Sequence, residues 1–229
     1  MSTLFTVLFL AWFCANPPGW REDFSKSDWQ KQPPCTNWKF DGGKIAVPDT
    51  RFEVKCGVLR VIADKSTGSL MTMPKADLKR YPILHWRWKV CNLPLNADGR
   101  DPKRDDQPAA LYFGSGGIFS RKVLGFRWEN LTPVGEAGKA VYAGGIVTAH
   151  HWCVRNKETP VDEFVEEYVN IAELFQKTYG FIPEPDDYVI SFGGNSQYTG
   201  SCTTAEFDFI ELIEAMPPEA EPDKKEEGK

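Results

Sequence analysis

Two carboxylates, Glu206 and Asp208, stand two residues apart in a stretch that alternates acidic with aromatic residues. On a strand they would share one face about 7 Å apart. That spacing admits the paired acids of a glycoside hydrolase. His150 and His151 are adjacent and run into Trp152 and Cys153. Neutral imidazole serves as a general base or a metal ligand. Neighbouring strand residues point to opposite faces, so the two histidines are not expected to share one ion. Cys153 and a histidine could form a nucleophile–base pair, although nothing nearby in the sequence lowers a thiol pKa.

Asp98, Asp101, Asp105 and Asp106 gather in a single loop. Clustered carboxylates suit calcium, with Asp105 and Asp106 as the candidate ligands. The spacing departs from an EF-hand loop, and Arg100, Lys103 and Arg104 dilute the charge, so a self-paired solvated loop is the competing expectation. Met71 or Met73 with His150 or His151 would suffice as axial ligands of a haem, which needs no local motif. Trp128 or Trp152 could stack on a sugar ring, with Asn195, Gln197 and Tyr198 supplying hydrogen bonds. The same indoles could instead fill a core.

Several chemistries lack their motif. The run Gly114-Ser115-Gly116-Gly117 has neither dinucleotide-turn spacing nor a following P-loop lysine, and it reads as a hairpin turn. Neither Ser115 nor Ser196 lies in a GxSxG elbow. HExxH is absent, and no cysteine pair is spaced CxxC. Six cysteines occur, Cys14, Cys35, Cys56, Cys91, Cys153 and Cys202. Cys35 and Cys56 bracket an early hairpin-like region and are the first candidates for a disulfide; reduced, buried thiols are the alternative.

The chain that must position these groups has 229 residues, 41% of them apolar and 13% aromatic, including eight Trp and fifteen Phe. That composition can fill a sizeable core. A net charge of -5 leaves no basic footprint for nucleic acid. The longest apolar run, residues 4–13, is about half of what a membrane helix needs, so no transmembrane span is expected. It does fit the apolar region of an export signal over residues 1–16. Residues 216–229 lack apolar periodicity and read as a solvated acidic and basic tail. One folded domain is expected over 18–215.

The clearest strand is 83–90. Leu84, Trp86, Trp88 and Val90 fall on one face, and His85, Arg87 and Lys89 on the other. Further strands are expected over 44–47, 52–63, 69–73, 109–113, 123–128, 140–149, 188–192 and 204–212. Turns are expected at 41–43, 98–99, 114–117 and 193–195. In the last strand the apolar phase slips after Phe209, which predicts a bulge there. One helix is predicted over about 160–179: Thr159 as N-cap, Pro160 at the first position, an apolar stripe from Phe164 to Phe175, and Gly180 as the left-handed cap. The fold class that follows is an all-β sandwich of jelly-roll or lectin-like type with one packed helix.

From Trp86 onward the chain resembles a bacterial family of exported proteins known only as a domain of unknown function. The resemblance rests on Pro82 before Trp86-Arg87-Trp88-Lys89, the acidic pair Asp105-Asp106, the helix ending Tyr179-Gly180 with Pro183, the turn from Asn195 to Thr199-Gly200, and the last strand from Glu206 to Leu212. It spans residues 20–213 loosely and 82–213 more closely. It implies the sandwich fold and an extracytoplasmic, periplasmic-type location. This chain lacks the arginine the family places after the acidic pair, having Gln107-Pro108-Ala109-Ala110. It also carries Gly193-Gly194-Asn195-Ser196 in place of an aspartate-rich turn. The leading functional expectation is therefore a non-catalytic extracytoplasmic binding or accessory protein, its partner a protein or a glycan. A polysaccharide-acting enzyme using the acids or histidines named above is second. A haem- or metal-binding redox subunit is third.

Overall fold

The computed structural model describes residues 19–26, 37–44, 46–117 and 120–217. The expected export signal, Cys14, Cys35 and most of the expected tail lie outside the described residues.

Two β-sheets face each other across a common apolar core. The first is built around β13 (Cys202–Ile213). Strand β6 (Ile83–Asn92) runs along one side of it. Strand β4 (Val58–Asp64) and then β1 (Trp20–Asp23) occupy the other. The remaining strands of this sheet are β11 (Val165–Asn170) beside β6 and β3 (Arg51–Lys55) beside β4. The second sheet has the order β2 (Lys39–Gly42), β5 (Thr67–Thr72), β12 (Tyr188–Asn195), β7 (Gln107–Ser115), β8 (Arg121–Trp128), β10 (Val147–Arg155), β9 (Ala137–Tyr142). Its pairs are antiparallel except β8 with β10, which run parallel. This is the predicted sandwich, of jelly-roll or lectin-like type.

Period-2 alternation explains the core. Leu84, Trp86, Trp88 and Val90 of β6 are all fully buried, as their spacing predicts. Trp88 packs at 5.5 Å from Trp128 of the opposite sheet, and Trp86 at 5.5 Å from Phe126. The predicted bulge is present: the β13–β6 register shifts between Phe207 and Phe209. Phe207 therefore points inward, against Trp88. Phe209 lies on the outer face, where Arg21 covers its ring.

The structure differs from the sequence reading in several elements. The predicted strand 52–63 is a hairpin, β3 and β4, turned at Cys56-Gly57, where φ is 54° and 80°. Two successive positive φ values make the tight turn whose twist matches the flanking strands. Cys56 is exposed there as a free thiol among the described residues, and Cys35, its candidate partner, lies outside them. The expected strand 140–149 divides into β9 and β10, and the expected strand 44–47 gives way to the earlier β2. Gly193 and Gly194 belong to β12 rather than to a turn.

The predicted helix 160–179 is a strand followed by a short helix. Residues 165–170 form β11, and α1 covers Ile171–Tyr179. The N-cap is Asn170, whose side chain accepts from the Glu173 amide at 3.0 Å. The apolar spacing fits either structure locally. Edge pairing decides it, because β11 occupies the backbone donors and acceptors along one side of β6. The end of the helix is as predicted, with Gly180 at φ 88° donating to Gln176 O at 2.8 Å. The helix buries Ile171, Ala172 and Phe175, the last against Phe113.

Candidate functional site

The outer face of the seven-stranded sheet carries the candidate site. Leu111, Phe113, Leu124, Phe126 and Trp128 fill the core from β7 and β8, which turns Tyr112, Gly125 and Arg127 outward. His151 of β10 stands opposite Gly125 and Gly138, on the same outer side.

Tyr112 lies between two strand glycines. A Cβ on Gly125 would meet its ring atoms at 2.9 and 3.0 Å, and one on Gly193 would meet it at 3.1 Å. The ring therefore lies low across three strands, in room that only glycine leaves. Gly138 plays the same part for His151, since a Cβ there would sit 2.3 Å from Nε2.

Beside His151 opens a cleft of about 450 Å³. Its walls are loop 93–106, before β7, and loop 129–136, before β9. Lining groups include Arg100, Asp105, Glu136, Lys139, His151 and Tyr198. At the base, the Arg127 guanidinium is 3% exposed and lies between two carboxylates. It donates from Nη2 to Asp105 Oδ1, and its Nε is 3.2 Å from Glu129 Oε1. Glu129 is itself buried and accepts from Thr132 Oγ1 and from the Gly99 amide at 3.1 Å. A Cβ at position 99 would stand 2.2 Å from that carboxylate, so the approach requires glycine.

Two groups in the cleft have shifted acidity. Burial pushes the Asp105 carboxyl above its ordinary range, although Arg127 pulls the other way. Burial, with Arg127 and His150 nearby, lowers the His151 imidazole to about 4. At neutral pH His151 is uncharged and offers one ring donor and one acceptor.

The sequence candidates fall at scattered places. Tyr198 lines the cleft, with Lys44 Nζ 2.7 Å from its hydroxyl. Asn195 clips the site together: its Oδ1 accepts from Gln107 N at 2.8 Å, and its Nδ2 donates to Asp105 O at 3.0 Å. Gln197 sits in the turn with Tyr198, outside the cleft lining. Trp128 has no exposed surface and Trp152 stacks on Phe126 at 6.1 Å from the core side, so neither offers a ring face to a ligand in this cleft.

Asp105 and Asp106 diverge. Asp105 pairs with Arg127, and Asp106, fully buried, accepts the amides of Tyr198 and Thr199. Among the described residues no three His, Cys, Asp or Glu side chains gather around a common point.

Glu206 and Asp208 lie on the opposite sheet. Glu206 is 3.2 Å from Arg60 and 3.1 Å from Lys89, and Asp208 is 2.6 Å from Arg87. Each carboxylate is ion-paired with cations on its own sheet face. His150 faces the core side at the edge of Tyr179, 5.6 Å away, and is separated from His151 by the sheet. Met71 is four strands from His151 in the sheet order, about 19 Å at the usual spacing. It lines a different open groove with Met73. At that separation Met71 and His151 cannot share one iron. The Cys153 thiol is driven up to about 12, chiefly by burial, which makes it a poor nucleophile.

Sequence reading missed Tyr112, Arg127 and Glu129. One signal was available: Gly125 and Gly193 each interrupt a strand, and an interior strand glycine marks a close approach.

The family model for a protein of unknown function, DUF3047, matches residues 36–211. The chain belongs to that family. The match takes in every motif from Pro82 to Glu211, including the Asp105-Asp106 pair, so the DUF3047 region contains both sheets' principal strands and the whole cleft. No curated protein matches the chain. Solved structures similar to this DUF3047 chain include the xyloglucanase domain of NopAA, a type three effector from Sinorhizobium fredii, at 9% identity and a TM-score of 0.48, covering 77% of this chain and 92% of that one. The family 11 carbohydrate-binding module of a cellulosomal cellulase of Clostridium thermocellum is 10% identical, with a TM-score of 0.41, over 87% and 98% of the two chains. The carbohydrate recognition domain of Emp46p is 11% identical, with a TM-score of 0.46, over 87% and 98%.

Proposed function

We propose that this protein is a non-catalytic, extracytoplasmic glycan-binding protein whose ligand lies across the outer face of the seven-stranded sheet. The observation that carries this is Tyr112, an aromatic ring set low between Gly125 and Gly193 on that face. A planar ring on a flat sheet is a platform for the apolar face of a sugar. His151, Asp105 and Tyr198 bring polar groups to the adjoining cleft, as orientation of a polyhydroxylated ligand requires. The non-catalytic part is supported by the ion pairing of Glu206 and Asp208 and by the inert Cys153. The extracytoplasmic part rests on the apolar run at residues 4–13, and the mature N-terminus in the native host tests it: an intact leader on a cytosolic chain would refute export.

Binding is tested by affinity gel electrophoresis through soluble neutral and acidic polysaccharides. At least one glycan is expected to retard the protein, and Tyr112→Ala to weaken that retardation about tenfold, the scale of a lost aromatic contact. No retardation by any glycan, or a Tyr112→Ala protein that binds as well as the parent, overturns the reading. Tyr112 is half-buried on the outer face, so its truncation leaves the core intact.

A further inference from the structure

We infer that the glycan bound by this protein is the interior of an extended chain, which crosses the outer face at right angles to the strands and fills a second groove beyond Tyr112 as well as the cleft beside His151. This rests on the glycan-binding reading and adds the form of the ligand. The inference comes from the strand registers. Lys39 of β2 stands opposite Met71 of β5, and Met71 stands opposite Ser191 of β12. Ser191 faces Tyr112 of β7, and Tyr112 faces Gly125 of β8. Gly125 meets His151 of β10, and His151 meets Gly138 of β9. One residue from every strand of this sheet therefore lies in a single line. Leu70, Ile190, Phe113 and Leu124 are each adjacent in the chain to a member of that line and are buried in the core, which puts the line on the outer side. Its six inter-strand steps span about 29 Å at the usual spacing.

The line is low in its middle and hollow at its ends. A Cβ on Gly125 would meet Tyr112 at 2.9 Å and the His151 Cβ at 3.1 Å, and one on Gly138 would meet the His151 ring. Both rings thus lie over glycine positions, where no side chain rises to obstruct a ligand. At one end, His151 and Gly138 border the cleft of about 450 Å³. At the other, Lys39 and Met71 border an open groove of about 760 Å³, lined also by Met73, Gly114 and Val189. Tyr112 lines neither and stands between them. Gly114 follows Tyr112 by two residues on β7, and Val189 precedes Ser191 by two on β12, each about 7 Å along its strand. The groove therefore adjoins the Tyr112–Ser191 pair directly. Its methionine and valine side chains suit the C–H faces of sugar rings, and Lys39, Arg121 and Asp187 bring polar groups for hydroxyls. A chain that continues past both sides of the Tyr112 ring uses both hollows. A terminal sugar or a disaccharide would rest on Tyr112 and leave the far groove unused.

The test is isothermal titration calorimetry of the whole protein with cello-, manno- and xylo-oligosaccharides, each from the disaccharide to the hexasaccharide. In the series that binds, affinity is expected to climb with every added ring, the hexasaccharide binding about tenfold or more tightly than the disaccharide. Met71→Arg and Ser191→Arg place a long side chain in the groove and at its approach, both at partly exposed positions on the outer face. Each is expected to weaken the hexasaccharide severalfold and to leave the shortest chain that binds unchanged; a melting temperature equal to the parent's shows that the fold is kept. Equal affinity for short and long chains overturns the inference and leaves the glycan reading standing. A length dependence that neither variant alters overturns the assignment of the groove. Failure of every oligosaccharide, together with failure of every polysaccharide in affinity electrophoresis, overturns both.

Discussion

At the residue scale, the informative side chains are those that break the local rule of their strand. Tyr112 is an aromatic in the outward phase, and Gly125 and Gly193 are glycines inside strands. Separately these look like weak strand residues; together they are one feature, a ring and the room it occupies. Arg127 is also outward by phase yet almost wholly buried, because the two loops fold over that end of the sheet. A buried cation needs carboxylate partners, and Asp105 and Glu129 supply them. His151 is the residue whose state is most easily measured. Its imidazole is expected to stay neutral down to about pH 4, against an ordinary value of 6.5, so its NMR ring shifts should not move between pH 8 and 5. A midpoint near 6.5 would contradict the burial of this ring beside Arg127.

At the scale of elements, the segment 159–180 shows how an apolar pattern is read differently by its neighbours. Val165 and Val169 face the core from β11, while Glu166 and Tyr168 turn outward. There Glu166 Oε2 lies 3.0 Å from His85 Nε2, and Tyr168 stacks on the His85 ring at 3.9 Å. Glu167, on the inner side, reaches the other sheet, accepting from Arg155 at 2.6 Å and from Trp88 Nε1 at 3.3 Å. These partners come from two distant strands, β6 and β10, and no window of sequence contains them. The helix begins only when this strand ends, at Asn170. Asn170→Ala is expected to destabilise the protein by about 1 kcal/mol, the usual worth of an N-cap side chain. Thr159→Ala, at the position that local sequence favours as the cap, is expected to change stability less. Chemical denaturation of the two variants compares them directly, and a larger effect at Thr159 would reinstate the longer helix.

For the whole molecule, the charge inventory sets how stability depends on pH. Burial raises the Glu211 carboxyl, but hydrogen bonds from His85 and Arg21 outweigh it and hold it below its ordinary 4.5. Glu166 behaves likewise through Tyr168 and His85. The hydrogen bond from Arg100 holds Asp98 down at about 2. An acid whose folded pKa is depressed contributes stability above its unfolded value, and that stability is lost as pH falls through the folded one. His151 adds an earlier loss: between 6.5 and about 4 the unfolded chain binds a proton that the folded chain refuses, so stability falls as pH falls. Asp105, raised by burial, runs the opposite way and offsets part of the carboxylate loss. The melting temperature is therefore expected to decline from pH 6.5 to 4 and more steeply below 4.5. His151→Gln should flatten the upper part of that decline. A melting temperature independent of pH over the whole range would show that these groups are not held as the structure places them.

The sequence by itself determined what depends on the nearest neighbours along the chain. Alternation in 83–90 named the buried face of β6, because strand periodicity is a local property. The phase slip after Phe209 named the bulge, and Gly180 named the end of the helix, since a left-handed cap needs no distant partner. The sandwich class followed from many short strands and a single helical stretch. The tertiary structure alone decided the rest. It chose strand over helix at 165–170, because an unpaired edge of β6 was there to be filled. It buried Trp128, because Trp88 of the other sheet lies against it. It surrounded Glu206 and Asp208 with Arg60, Lys89 and Arg87, partners from neighbouring strands that linear spacing does not show, and it set His151 on the other sheet. It assembled the cleft from β9, β10, two loops and the turn at Tyr198, whose residues lie far apart in the chain and meet only in the folded sheet.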